Sequence, residues 1–227
     1  MKILIKFPTR GRVDKFFSTL DKYIENFSQD NEYHIVVTCD YDDPGMNNDR
    51  AIKKLASYDN LSYYFGNRDS KIGAINRDLE KAEIPDYDII LLASDDMVPE
   101  KSGYDKRIVE EMNKNHEDLD GVVWFYDGYK RDLNTLCILG KPYYERFGYI
   151  YHPEYDSWFA DNEFMEVANI LDKQTFIDEI IIRHQHPANT KDIEFDQLYV
   201  ENDSAYYKTK DYQTFLKRKS RSFDLEV

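Results

Sequence analysis

The sequence is sparing in the features that make several protein classes recognisable. It has two cysteines, Cys39 and Cys137, each within an apolar stretch. Two such thiols cannot form the disulfide framework of a small secreted domain, and they read as buried free thiols in a reducing compartment. No apolar run approaches the roughly 18–20 residues needed to cross a bilayer. The opening strand, Lys2 to Phe7, carries charges that the apolar core of a signal peptide would not. A cytoplasmic protein without a transmembrane segment is the expectation. Positive charge is also short: 30 Lys and Arg stand against 44 Asp and Glu, a net charge of −14, which argues against broad contact with duplex nucleic acid. Glycine is scarce, at 9 residues, and the loop Pro8-Thr-Arg-Gly-Arg12 holds only one, so the dinucleotide fingerprint G-x-G-x-x-G is missing. There is no internal repeat and no low-complexity linker.

What remains is the content of a folded α/β enzyme. Hydrophobic residues make up 41% of 227, enough to bury a sizeable core in one large domain. Alternation and apolar runs predict strands over 2–7, 33–39, 61–65, 89–93, 121–126, 135–139 and within 176–182. Helical periodicity predicts helices over 13–27, 71–82, 104–114 and 161–171, with a weaker one in 46–58 and another near 203–218. Val13, Phe16, Phe17, Leu20, Tyr23, Ile24 and Phe27 form one apolar stripe of the first helix. Four strand-then-helix alternations imply a mostly parallel sheet flanked by helices on both faces.

One stretch organises the rest. Ile89 to Ala93 is an unbroken apolar run that stops at Ser94, Asp95 and Asp96, with Pro99 closing the turn, and it reads as a fully buried strand. Carboxylates at the carboxyl end of such a strand lie where open α/β sheets bind ligands. Two adjacent like charges cost free energy unless a cation or hydrogen bonds neutralise them, so a divalent metal and a phosphate-bearing substrate are expected. Hard cations such as Mg²⁺ or Mn²⁺ take carboxylate and phosphate oxygens, and Mn²⁺ also accepts imidazole. Asp96 with either His184 or His186 would supply such a site; two apart on a strand, the histidines face the same side. Asp40 and Asp161 also fall at element ends. Among 19 tyrosines and 2 tryptophans, Trp124, Tyr126 and Trp158 lie in an aromatic-rich segment suited to stacking on sugar rings.

The order Pro8-Thr-Arg-Gly-Arg12, Asp40, Lys71-x-x-Ala-x-Asn76, Ser94-Asp95-Asp96, Asp161-Asn-Glu-Phe164 and His184-x-His186-Pro resembles nucleotide-sugar-dependent glycosyltransferases of the GT-A fold, of the broad family 2 type. The resemblance covers residues 2–187. It implies a Rossmann-like domain over 1–187, with 1–100 holding the nucleotide sugar and 101–187 the acceptor; the tail over 188–227 lies outside the resemblance and reads as a C-terminal helical extension. It implies that Asp96 holds the metal on the diphosphate and that Asp95 contacts ribose or donor sugar. Pro8, Thr9, Arg10, Arg12, Asp40, Asp42 and Ser94 would line the nucleotide site, and Lys71 and Asn76 would lie on the helix closing over the donor. Asp161 matches the family's catalytic base, but Ala160 stands where a second acid is usual, which leaves Glu163 as the alternative.

The expected reaction is sugar transfer from a nucleoside-diphosphate sugar to a hydroxyl on a glycan, a lipid-linked sugar or another acceptor, with inversion. A nucleotidyltransferase or phosphoryl-transfer enzyme on a similar scaffold would want a glycine-rich basic loop after the first strand. A catalytically silent sugar-binding module would lack a metal aspartate or a base. From Lys208 to Arg221 the tail holds six basic residues and one acidic one, a patch that could touch a membrane surface peripherally.

Overall fold

The computed structural model describes residues 1–185, 196–202 and 204–225, so His186 lies outside the described residues. The chain begins with β1 (Lys2–Pro8), α1 (Val13–Glu25), β2 (Glu32–Asp40), α2 (Asp49–Leu55), β3 (Leu61–Gly66), α3 (Lys71–Asn76) and β4 (Ile89–Leu92). It continues through β5 (Met97–Pro99), α4 (Tyr104–Asn115), β6 (Val122–Phe125), β7 (Ile138–Gly140), α5 (Lys141–Phe147) and α6 (Ala160–Ile170). β8 (Gln174–Ile177), β9 (Ile182–His184), α7 (Gln197–Asn202) and α8 (Ala205–Lys219) follow, with a short turn of 3-10 helix at Ser222–Asp224.

Seven strands form one sheet in the order β3-β2-β1-β4-β7-β6-β8. The pairs β1/β2, β2/β3, β1/β4 and β6/β8 are parallel, and β7 runs antiparallel to both β4 and β6. Because side chains alternate across each strand, each face of the sheet gathers its own core. Ile3, Ile5 and Phe7 point to the face covered by α1, α2 and α4, where the α1 residues Phe16, Phe17, Leu20 and Tyr23 are buried. Each such large apolar chain contributes about 1.5–3 kcal/mol through burial. Leu4, Val36, Ile90 and Leu92 point to the other face, against Ile72 and Ile75 of α3, Tyr143 of α5, Phe164 of α6 and Phe215 of α8. The C-terminal helix is thus part of the second core.

Two predicted elements differ in detail, and two features were not predicted. α3 ends at Asn76 rather than near 82: Arg77 turns extended (ψ 150°) and Asp78 takes φ 70°. The Arg77 carbonyl is drawn down to Lys6 Nζ (2.6 Å), a lysine with no solvent exposure that needs acceptors on the apolar face of β1. The strand expected over 135–139 forms at Ile138–Gly140, and Lys141–Phe147 is a helix within the aromatic-rich segment. Its signals were present: Pro142 sits in its first turn, and Gly148, at φ 72°, ends it in the left-handed conformation glycine favours. The two-stranded pairing of β5 with β9 was not foreseen. It sets Met97 opposite His184.

Candidate active site

From β1 the chain moves one way across the sheet, to β2 and β3, and β4 returns on the other side of β1. A crevice opens beyond the carboxyl ends of strands at such a reversal. There a cavity of about 1070 Å³ is lined by Pro8 and Thr9 after β1, Asp40 at the end of β2, Ser94 to Asp96 after β4, and Ser70 and Lys71 at the start of α3. Ser70 caps α3 by accepting from the Gly73 N–H, which fixes the direction in which Lys71 leaves the helix.

The β1–α1 loop brings two arginines to this crevice, and each meets acids. Arg10 donates to Asp40 (3.0 Å) and clamps Asp42 through two bonds (2.5 and 3.1 Å). Those bonds, the Asp42 one foremost, hold the Arg10 guanidinium even more firmly protonated than usual. Asp40, 5% exposed, also accepts from Arg77 (3.2 Å), whose guanidinium reaches the Cys39 and Asn67 carbonyls too. Arg12 donates to Asp95 (3.0 Å) and, through Nε and Nη2, to Asp196 (2.6 and 2.7 Å). Asp42 reaches the site through Arg10 rather than lining the cavity itself.

The acidic turn after β4 separates its two carboxylates. Burial pushes the Asp95 carboxyl up, against the pull of Arg12. Asp96 is equally buried, but His184, Ser94 and Lys71 outweigh the desolvation and hold it far below the usual carboxylate range. Ser94 donates to Asp96 Oδ1 (2.6 Å), and His184 Nε2 lies 3.8 Å from Asp96 Oδ2. Behind the imidazole, Nδ1 meets Asp127 Oδ2 at 3.3 Å. Burial would lower the histidine, but Asp127 and Asp96 prevail and raise it to about 9. Asp127 is itself pulled down to about 2, burial being outweighed by His184, Thr135 and the backbone N–H groups of Lys130 and Tyr129.

This is a donor set suited to a divalent cation. Asp127 orients the imidazole so that Nε2 faces Asp96, the carboxylate–histidine arrangement that commonly stands behind metal ligands. As it stands the 3.8 Å contact is an ion pair between Asp96 and a protonated imidazole, so a cation held by both groups would have to displace the Nε2 proton. Among the described residues no group of three or more His, Cys, Asp or Glu is placed to hold a metal ion. Among the described residues the protein side offers two candidate ligands, Asp96 and His184, and a diphosphate would have to supply others.

Asp161 enters from the first turn of α6 and lines the same cavity, with Trp158 beside it. Burial raises the Asp161 carboxyl above its ordinary value, and Lys71 opposes that rise. Glu163 does not share the cavity. It is 3% exposed, accepts from Tyr155 OH (2.6 Å) and is held by Arg218 Nε (2.9 and 2.8 Å) from α8. The remaining expected residues also point elsewhere. Asn76 binds the Tyr151 carbonyl and the Ile150 and Tyr151 N–H groups. Trp124 is buried against Phe176, and Tyr126 lies under the Arg131 guanidinium, 3.7 Å from its ring centroid.

Several site residues escaped the sequence reading. Asp127 follows β6 as Asp40 ends β2, so an acid at a strand end was a usable signal. Its partner was not, because the Asp127–His184 contact spans 57 positions. Arg68, Tyr206 and Tyr207 also line the cavity, the tyrosines from a tail that carried no motif.

No family model matches the chain, and no curated protein matches it in sequence. Solved structures match it in three dimensions. The mannosyltransferase PcManGT from Pyrobaculum calidifontis, in complex with GDP-Man and Mn²⁺, aligns with a TM-score of 0.62 at 14% identity, covering 81% of this chain and 56% of that one. S. aureus TarS, residues 1–349, aligns in complex with UDP (TM-score 0.61, 15% identity, 100% of this chain, 73% of that one). Its complex with UDP-GlcNAc gives 0.57 at 14% identity, over 100% of this chain and 76% of the other. The chain thus has the GT-A fold of nucleotide-sugar glycosyltransferases. It spans little more than half the length of the mannosyltransferase.

Proposed function

We propose that this protein is a metal-dependent glycosyltransferase that moves a sugar from a nucleoside-diphosphate sugar to an acceptor hydroxyl with inversion. The observation that carries the proposal is the convergence of Asp95, Asp96, His184 and Asp161 on one cavity at the carboxyl ends of β1 and β4. Similarity of fold to proteins solved with GDP-Man and Mn²⁺ and with UDP-GlcNAc supports it.

In this reading Asp40 and the Pro8–Arg12 loop hold the nucleoside, Asp95 accepts from a ribose or sugar hydroxyl, and Lys71 faces the diphosphate. Asp96 and His184 hold Mn²⁺ or Mg²⁺, which when bound would supply positive charge at the leaving diphosphate oxygens. Asp161 takes the proton from the acceptor hydroxyl as that oxygen attacks the anomeric carbon, and the bond from that carbon to the diphosphate breaks. Its raised pKa suits the task, since a stronger base draws the proton more readily. A single in-line displacement inverts the anomeric centre. Glu163, already ion-paired with Arg218, is not available as the alternative base.

A panel of UDP- and GDP-sugars with Mn²⁺, read by donor hydrolysis and thermal shift, tests the proposal. At least one donor should bind, and chelator should abolish its binding. Asp96→Ala should lose both metal and donor affinity. A variant that binds and turns over like the wild type refutes the metal assignment.

A further inference from the structure

α8 carries one acidic side chain, Asp211, and it is fully buried. Its Oδ1 accepts from the Asp156 N–H (3.1 Å), and its Oδ2 accepts from the N–H groups of Ser157 (2.8 Å) and Trp158 (2.7 Å). Residues 156–158 belong to no helix or strand, so these N–H groups have no ladder to join, and one carboxylate satisfies all three.

The loop so held stands between the two elements that carry the chemistry. On one side the Asp156 carbonyl accepts from the Ile72 N–H (3.2 Å), next to Lys71 in the first turn of α3. On the other, Phe159 takes the left-handed conformation (φ 63°) and leads directly into α6 and Asp161. Phe159 packs on Tyr212 and Phe215 of α8, with ring centroids 5.2 and 5.7 Å away. The Trp158 indole is 37% exposed and lines the cavity, with the Lys208 ammonium 4.6 Å from its centroid. An exposed indole with a fixed backbone next to a base is a ready platform for a carbohydrate ring, whose axial C–H face stacks on aromatic surfaces.

We infer that Asp211 is a positioning residue for the acceptor end of the site: it fixes residues 156–158 so that Trp158 offers its face to a sugar ring of the acceptor, beside Asp161. The inference rests on the transferase reading above and adds the substrate class of that end and the role of the C-terminal helix in forming it.

The test uses the full chain carrying Trp124→Phe, in which Trp158 is the sole tryptophan. Methyl glycosides of glucose, mannose and N-acetylglucosamine are titrated with UDP or GDP and Mn²⁺ present, reading Trp158 emission. One or more should shift the emission, and Asp211→Asn should weaken that sugar's apparent affinity tenfold or more while nucleoside-diphosphate affinity stays within twofold. A folded Asp211→Asn variant that binds the sugar as tightly as the parent overturns the positioning role. No response to any glycoside overturns the platform. Failure of the parent to bind either nucleotide instead overturns the transferase reading, so the two failures are distinguishable. Should the variant not fold, hydrogen exchange of the Asp156, Ser157 and Trp158 amides in the wild-type chain decides: protection is expected, and exchange at the rate of an open loop refutes the clamp.

Discussion

Replacing Arg218 by methionine removes a cation from a site where both partners are nearly dry. Arg218 and Glu163 are each 3% exposed, and the guanidinium Nε contacts both carboxylate oxygens, at 2.9 and 2.8 Å. The arginine also donates to Asp224 (2.9 Å) and to the Phe223 carbonyl (3.3 Å), tying the last turn of the chain to α6. Methionine fills similar volume but leaves Glu163 with only Tyr155 among the partners described above. Breaking a buried pair by deleting one member costs about 3–5 kcal/mol, mainly because the remaining charge is uncompensated. With an unfolding entropy of about 2.1 cal/mol/K per residue, a chain of this length should lose about 6–10 °C in Tm. Removing the charge as well, in Arg218→Met/Glu163→Gln, keeps an acceptor for the Tyr155 hydroxyl and should restore most of that loss. Circular dichroism melts of the wild type and both variants provide the assay. A single variant within 2 °C of wild type, or a double variant no more stable than the single, refutes the buried pair. Donor turnover in the double variant decides a second matter: it should persist, and its loss in a folded protein would return Glu163 to the chemistry.

Asp161→Asn should leave donor affinity unchanged and reduce transfer by at least about 100-fold, the scale of general-base catalysis; calorimetry and single-turnover transfer would measure the two, and undiminished transfer moves the base elsewhere. Because burial raises the Asp161 carboxyl, the acid limb of the kcat profile should fall above the ordinary aspartate range: activity is present where Asp161 is deprotonated and lost as pH drops through its raised pKa. Asp127→Asn should weaken Mn²⁺ binding by about 10–100-fold without touching the ligands, since it loosens the imidazole they depend on; equal Mn²⁺ affinity by calorimetry would contradict that role. Lys6 is pushed down to about 7, chiefly by burial, whereas an unfolded lysine titrates near about 10.4. Between those values the unfolded chain binds more protons, so stability should rise with pH from about 7 to about 10, and Lys6→Met should flatten the rise in urea melts at the two ends.

Local patterns carried the fold a long way. The stripe of α1, the apolar run of β4 and the β-then-α alternation each reflect forces acting within about fifteen residues, where periodicity is informative. What they could not show is β7 inserting antiparallel between β4 and β6, because that order depends on pairings between segments far apart in the chain. The early end of α3 had a distant cause as well. Nothing near Arg77 announces that its carbonyl will serve a lysine 71 positions earlier.

The candidate site divides along the same line. Asp95, Asp96 and Asp161 stand at element ends, where composition alone marks them. Their electrostatic roles come from partners brought by other segments. Asp96 is held ionised by His184 because β5 pairs with β9, and His184 faces it because Asp127 waits behind the ring after β6. The basic tail shows how charge counting misleads when burial is unknown. Arg218, counted as part of a basic patch, is sequestered with Glu163, and Asp211, the one acid between Lys208 and Arg221, is spent on three backbone N–H groups. The charge on α8 that reads as a surface feature therefore serves in part to fasten the helix to the second half of the domain. Any peripheral contact of the tail with a membrane would have to come from the lysines that remain outside, Lys208 being already drawn to Trp158.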